Sequence, residues 1–552
     1  MRKQLGHKNE REVEWQLAST DLSAVRRWLD DHGTIDGLEL QPQPTLEIFD
    51  TYFDTDDWRI HRAGFALRIR SESGRAEATL KSLRSNSAEM ADRRELSEAL
   101  EGTQSESIVH STGPVGTRVH AVSGAHPLQP LFAVRTSRQR YAVHAANDHK
   151  TLGEIALDET VIARPDGQPQ TSIQRVEVEA LTDAHEPLQI LVKTLRASCS
   201  LEPVSDSKYA QGLKSVGLAP VSAPELTPTV VDASMRMDEV ALANLRHYLS
   251  TWHQHEPGAR LGDEPEELHD LRVAVRRLDA ILRQFEAYLP ASLVRIRPTL
   301  KKILRALGEA RDLDVALLEL DAFSCGLPEP DLVHIEPLRQ HLRSERERAR
   351  AKMLSVLDSS AVQKALEKLT QVLTQPPGTA LEKLETPELN AVPALSAVPE
   401  LVRVRYRKVR KRANRLTPDS STETYHRVRG RLKKLRYALE AVATIVGKPA
   451  TDMLRALRRW QEKLGTQQDA DVAGRRLKAL AAHSPKGLQP ETLFIMGRFA
   501  AHYVGLAAKA RKRHPRAYRK VRGRWKALKS RLAELTPPRM GDYSVNSTGD
   551  SR

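Results

Sequence analysis

Two cysteines, Cys199 and Cys325, are all that 552 residues carry, too few for a disulfide framework. Aromatic residues are scarce as well, at 5% of the chain, which argues against the stacking platforms on which single-stranded nucleic acids bind. No apolar run approaches the roughly 18 residues that cross a bilayer. The first ten residues, Met1 to Glu10, lack the apolar stretch of a signal peptide. These absences lead us to expect a soluble, cytoplasmic protein without structural disulfides. What the chain does have is charge: 28% of its residues are charged, and its mean hydropathy is −0.48. Its length also exceeds the roughly 250 to 300 residues at which a single core stops growing, so at least two domains are expected.

The formal net charge is +15, unevenly distributed. Residues 1–220 hold 26 Lys+Arg against 32 Asp+Glu, a net of −6, which leaves 86 − 26 = 60 and 71 − 32 = 39 for residues 221–552, a net of +21. An acidic module is thus joined to a basic one. A basic domain attracts a polyanion, whether nucleic acid, an anionic membrane or a phosphate polymer; alternatively its Lys and Arg simply solvate helix surfaces.

Up to about residue 215 the chain reads as short strands interrupted by amphipathic helices, an α+β pattern. Glu12-Val-Glu-Trp-Gln-Leu17, Ala66-Leu-Arg-Ile-Arg70 and Arg175-Val-Glu-Val-Glu179 alternate charged and apolar residues, so each strand has one charged face. That face either meets solvent or, in a barrel, lines a charged tunnel. Pro220, Pro224 and Pro228 mark a linker over 216–231, after which the pattern turns helical. A second proline-bearing break runs from Gln375 to Pro399 and divides the helical region into halves of 232–374 and 400–535; a polar tail, 536–552, is expected to be disordered.

The two halves repeat one another. His269-x2-Arg272-x3-Arg276-Arg277-Leu278 recurs as His426-x2-Arg429-x3-Lys433-Lys434-Leu435, a shift of 426 − 269 = 157 residues. The same shift lays Lys301-Lys302 on Arg458-Arg459, and Leu307-Gly308-x3-Asp312-x-Asp314 on Leu464-Gly465-x3-Asp469-x-Asp471. Offsets of 0, 3 and 7 share one side of a helix, so His269, Arg272 and Arg276 form one basic stripe, and His426, Arg429 and Lys433 its twin. Like charges at this spacing repel, and compensation has to come from Asp312, Asp314, Asp469 and Asp471 or from an external polyanion. The doubled motif resembles the CHAD domain, a histidine-bearing α-helical domain of two pseudo-symmetric bundles. The resemblance covers about 232–535 and implies polyphosphate binding through His269, Arg272, Arg276, Lys301, Lys302, His426, Arg429, Lys433, Arg458 and Arg459.

The ordered series of N-terminal fragments, Glu12-x-Glu14, Tyr52 to Thr55, Ala63 to Arg70, Thr79 to Lys81, Arg93 to Glu95, Arg135 to Arg140, Gly153 to Asp158, Glu177-x-Glu179 and Ser207-Lys208, resembles the CYTH or triphosphate tunnel fold over about 9–215. The resemblance implies an antiparallel β-barrel ahead of the all-α duplicated domain, and hydrolysis of inorganic triphosphate with Mg²⁺ or Mn²⁺. It further implies a phosphate cradle of Arg68, Arg70, Lys81, Arg94, Arg138 and Lys208, metal ligands Glu12, Glu14, Glu177 and Glu179, and catalytic acids Glu154 and Asp158. Longer polyphosphate, nucleoside triphosphates and thiamine triphosphate present the same tail to such a tunnel. The family signature is Glu-x-Glu-x-Lys, whereas this chain has Gln16 at the third position, an amide that donates hydrogen bonds but carries no charge. The alternative expectation is therefore a catalytically impaired protein that binds polyphosphate at granules. Neither nucleic acid nor membrane is an expected partner.

Overall fold

The computed structural model describes residues 9–83, 91–146, 150–181, 185–204, 206–220, 226, 229–375, 392–483 and 488–536; in 9–12 and 91–94 it describes the backbone alone. Parts of the expected linker, most of the second proline-bearing break, and all but residue 536 of the expected tail lie outside these residues. The chain divides into two compact units, residues 1–223 with 260–263, and 224–259 with 264–552.

The first unit is a closed antiparallel barrel. Ten strands lie among the described residues: β1 (Asn9–Ala18), β2 (Thr34–Ile35), β3 (Leu38–Asp54), β4 (Phe65–Glu72), β5 (Arg75–Ser82), β6 (Ala91–Leu100), β7 (Gln129–Ala145), β8 (Thr151–Ala163), β9 (Pro169–Ala180) and β10 (Glu202–Pro203). Eight of them pair in the order β1-β6-β5-β4-β3-β7-β8-β9, and β9 pairs again with β1. Strand β1 achieves this by pairing with β6 over Asn9–Glu14 and with β9 over Val13–Ala18.

Alternation along the strands sorts residues to the two faces. Val13, Trp15, Leu17, Val176 and Val178 pack outward against Leu22, Val25 and Leu29 of the helix Leu22–Asp31 and Leu188, Leu191 and Leu195 of the helix His185–Cys199. Asp21 caps the former by accepting from the Ser23 and Ala24 N–H groups. On the opposite side Leu67, Ile69, Ala78, Leu80 and Leu96 meet Ile108, Val115, Val119 and Val122. With apolar residues outward under helices, the polar positions are forced inward. Part of that interior is filled: Tyr52, Ala66, Phe132, Val134 and Ile162 pack with Tyr209 and Leu213 of the helix Lys208–Ser215. A Cβ at Gly212 would stand 2.1 Å from the Phe132 ring, so this plug requires glycine there.

The second unit is all helical and duplicated. Its first-half helices Met237–Leu261 and Pro265–Gln284 reappear as Ala394–Ala413 and Thr422–Ala441, starting at 394 − 237 = 157 and 422 − 265 = 157 residues later. Each pair is followed by longer helices, Arg297–Ser324 and Glu329–Leu357 in one half, Lys448–His483 and Pro490–Glu534 in the other. One apolar cluster runs through both halves, from Leu245, Trp252 and Leu278 to Leu435, Trp460 and Val521. Among the described residues no helix is long and apolar enough to cross a membrane.

Candidate active site and basic cluster

The barrel interior holds both signs of charge in contact. Arg138 reaches Asp158 at 2.6 Å and Glu177 at 2.5 Å; Lys208, the first residue of its helix, bonds Asp158 and lies 3.1 Å from Glu177. Arg70 pairs with Asp50 at 2.8 Å, and Arg68 lies 3.4 Å from Glu95 and 3.7 Å from Asp50. Lys81 is 3.5 Å from Glu14 and 3.6 Å from Glu95, and Arg140 is 3.4 Å from Glu154. Of the residues expected to form the phosphate cradle, Arg68, Arg70, Lys81, Arg138 and Lys208 are thus on inward positions; Arg140 joins them, signalled in the sequence only by its two-residue spacing from Arg138. Glu12 and Arg94 sit on β1 and β6, outside the residues whose side chains are described.

The acids fall into two groups. Burial pushes Glu177 up, but Lys208 and Arg138 outweigh it and hold the carboxyl well below the usual range. Asp50 is likewise raised by burial and brought below its ordinary value by Arg68 and Arg70. Glu154 differs: burial raises it despite Arg140 and Arg138. Register places Glu14 opposite Glu179, and Glu179 opposite Glu154, so three carboxylates form a row across β1, β9 and β8. Hard oxygen donors in such a row suit Mg²⁺ or Mn²⁺, whereas Asp158 and Glu177 are already neutralised by two cations. A separate trio, Asp56, Asp57 and His126, brings three ligand atoms within 4.8 Å. Arg59 occupies it from within, bonding Asp57 at 3.0 Å and the His126 ring at 3.0 Å.

In the helical unit the two motif helices pack against each other. Their basic stripes meet: the charges felt by Lys433 are those of Arg429, Arg276, Arg272 and, with opposite sign, Asp469. Among the described residues no carboxylate oxygen lies within 4 Å of a nitrogen of Arg272, Arg276 or Lys433, and the Nε atoms of Arg272, Arg276 and Arg429 are buried without an acceptor. Asp314 and Asp471 do not compensate the stripes. They pair instead with Arg346 at 2.5 Å and Arg511 at 3.2 Å on the following helices. Asp469 is 3.9 Å from Arg429, which also donates to Gln468 at 3.0 Å.

The Leu-Gly pair of each repeat has a structural reason. A Cβ on Gly308 would touch the Arg272 guanidinium at 3.5 Å, and one on Gly465 would touch Arg429 at 3.4 Å, so each glycine gives its arginine a flat seat on the neighbouring helix. His269 is half-buried, with its basicity lowered by burial and then by Arg311, while His426 is exposed. Lys301, Lys302, Arg458 and Arg459 are exposed, and Arg458 is held 3.1 Å from Glu440. Arg277, passed over in the sequence as part of a basic pair, also bonds Glu440 and stacks 3.9 Å from the Tyr437 ring centroid, tying the halves together.

Burial, with Arg429, Arg276 and Arg272 adding, lowers Lys433 to about 7. A base depressed in the folded state costs stability below about pH 7, where both states are protonated, and this cost fades as pH rises towards the unfolded value. A polyanion held against Lys433 would restore the proton. Calorimetry of polyphosphate binding at pH 8, in buffers of different ionisation enthalpy, is expected to show net proton uptake that Lys433→Met abolishes; equal heats in all buffers contradict it.

The barrel with its charged interior and row of carboxylates is one module, and the duplicated basic helices are a second. Residues 23–212 match the CYTH domain model and residues 243–478 the CHAD domain model; the chain is a CYTH domain followed by a CHAD domain. CYTH domains are metal-dependent and include triphosphatases and cyclases. Among solved structures, the CHAD domain of the plant Ricinus communis is 25% identical, covering 57% of this chain and 97% of that one at a TM-score of 0.43. PptA from Streptomyces chartreusis is 22% identical over 52% of this chain and 100% of its own, TM-score 0.40. HpAC1 from Hippeastrum, described as having a dominant triphosphatase activity, is 19% identical over 38% and 97%, TM-score 0.29. No curated protein matches this chain.

Proposed function

We propose that the barrel hydrolyses inorganic triphosphate to diphosphate and orthophosphate, and that the helical domain binds polyphosphate where its basic stripes meet. The observation that carries the catalytic reading is the row Glu14, Glu179, Glu154 facing six ion-paired cations inside a closed barrel. Arg68, Arg70, Lys81, Arg138, Arg140 and Lys208 are preorganised by their carboxylate partners, and an entering phosphate chain exchanges those contacts for its own oxygens. Asp158 and Glu177 position Arg138 and Lys208. Glu14 and Glu179, with Glu12 on the same strand as Glu14, would hold a divalent metal, which when bound withdraws charge from phosphate oxygens. Glu154, whose proton affinity burial raises, is assigned to orient the attacking water and take its proton. Positioning and charge neutralisation supply most of such catalysis.

For the second site the supporting observation is the set Arg272, Arg276 and Lys433, to which no carboxylate is paired within 4 Å among the described residues. A polymer with charge on every phosphate and no bases fits cations without stacking platforms. Polyphosphate binding would in turn hold the protein at granules of that polymer.

A substrate panel with Mg²⁺ and Mn²⁺ tests the catalytic reading. Phosphate release is expected to be fastest from inorganic triphosphate, ahead of ATP, thiamine triphosphate and long-chain polyphosphate, because the aromatic rings described inside the barrel, Tyr52, Phe132 and Tyr209, are packed on one another rather than held open for a base. Faster release from a nucleotide would reject the assignment.

A further inference from the structure

One cation of the barrel is held unlike the rest. Arg175 is 1% exposed on β9, beside the apolar Val176 that packs outward, and so faces the interior. Glu177, Glu14, Asp158 and Asp206 are the acidic charges around it. Yet its contacts among the described residues are with neutral acceptors: Nη1 donates to the Gln16 side-chain oxygen at 2.9 Å and Nη2 to the Asp206 carbonyl at 2.6 Å. Gln16 in turn donates from its amide nitrogen to Glu14 at 2.8 Å. Every other inward cation described above is already paired with a carboxylate. Among the described inward cations Arg175 is the one whose hydrogen bonds go only to neutral acceptors, with two of five N–H donors engaged, while the acids act on it through space.

An amide at position 16 is what this arrangement requires, since one group must accept from a guanidinium and donate to a carboxylate. A lysine there would set an ammonium against Arg175 and offer it no acceptor. We propose that Arg175 is a phosphate-binding residue of the tunnel, oriented by Gln16 and the Asp206 carbonyl, and that it supplies the cation where β1 meets β9. This rests on the reading that a phosphate chain occupies the barrel, and it turns the uncharged Gln16 from a sign of lost catalysis into part of a relocated site.

The test uses the full chain with inorganic triphosphate and Mg²⁺ or Mn²⁺, following KM and kcat for phosphate release, triphosphate affinity by calorimetry, and thermal midpoints. Arg175→Gln is expected to raise KM and weaken binding about ten- to hundredfold, the value of a charged hydrogen bond, with a smaller change in kcat. Arg175→Lys keeps most of the affinity. Gln16→Lys alone lowers activity, and the double variant Gln16→Lys/Arg175→Gln recovers to within about threefold of the starting protein. An unchanged KM in folded Arg175→Gln overturns the proposal while leaving the triphosphatase reading intact. A gain in activity from Gln16→Lys alone does the same, and decides the matter should Arg175→Gln not fold. An inert starting protein that neither binds nor cleaves triphosphate removes both.

Discussion

Replacing Glu14 by glutamine is expected to reduce metal-dependent phosphate release by about a hundredfold or more while the barrel stays folded. The magnitude follows from losing one preorganised charge in a site whose work is charge stabilisation. Glu14 is buried, lies opposite Glu179 in register, and touches Lys81 and Gln16. Glutamine keeps its shape and its ability to accept from the Gln16 amide, so the fold tolerates the change. What disappears is the negative charge, and with it the affinity for a hard divalent cation. Raising the metal concentration should recover part of the rate, which separates a metal ligand from a group that only shapes the wall. An unchanged rate would remove Glu14 from the site.

The second large effect lies in the helical domain, where function and stability pull in opposite directions. Arg272→Ala, Arg276→Ala, Arg429→Ala and Lys433→Ala together are expected to abolish polyphosphate binding and leave thermal stability unchanged or raised. Four cations brought together with few acids repel one another, and sites of this kind are retained for their ligand rather than for folding. The remaining contacts between the halves, Arg277 with Glu440 and with the Tyr437 ring, are untouched by the substitutions. Binding would be followed by calorimetry at two salt concentrations, since residual attraction from the exposed lysines and arginines is screened by salt. Undiminished binding at moderate salt would mean that the polymer uses another face.

Several features were readable in the sequence because they depend on local periodicity. The alternation in Glu12 to Leu17 and Arg175 to Glu179 assigns a face to each charge, and the barrel turns those faces inward. The 157-residue repeat, read from His, Arg and Lys spacing, reappears in helices whose starts are separated by the same number. What stayed hidden depends on pairing across distant segments. Sequence spacing puts Glu177 and Glu179 in one acidic motif, yet Glu177 belongs with Arg138 and Lys208, whereas Glu179 stands level with Glu14 and Glu154. Likewise the four aspartates of the repeats form a single set on paper, but Asp314 and Asp471 turn to arginines on later helices. Gln16 and Arg175 lie 159 residues apart, and only the β1–β9 seam that closes the barrel makes them partners.

The most direct test of triphosphate hydrolysis is phosphorus NMR of inorganic triphosphate incubated with the full chain and Mg²⁺ or Mn²⁺. Orthophosphate and diphosphate should appear in equal amounts, with the reaction stopped by a chelator and by Glu14→Gln. Triphosphate that persists unchanged with either metal, or products that form equally well with Glu14→Gln, would contradict it.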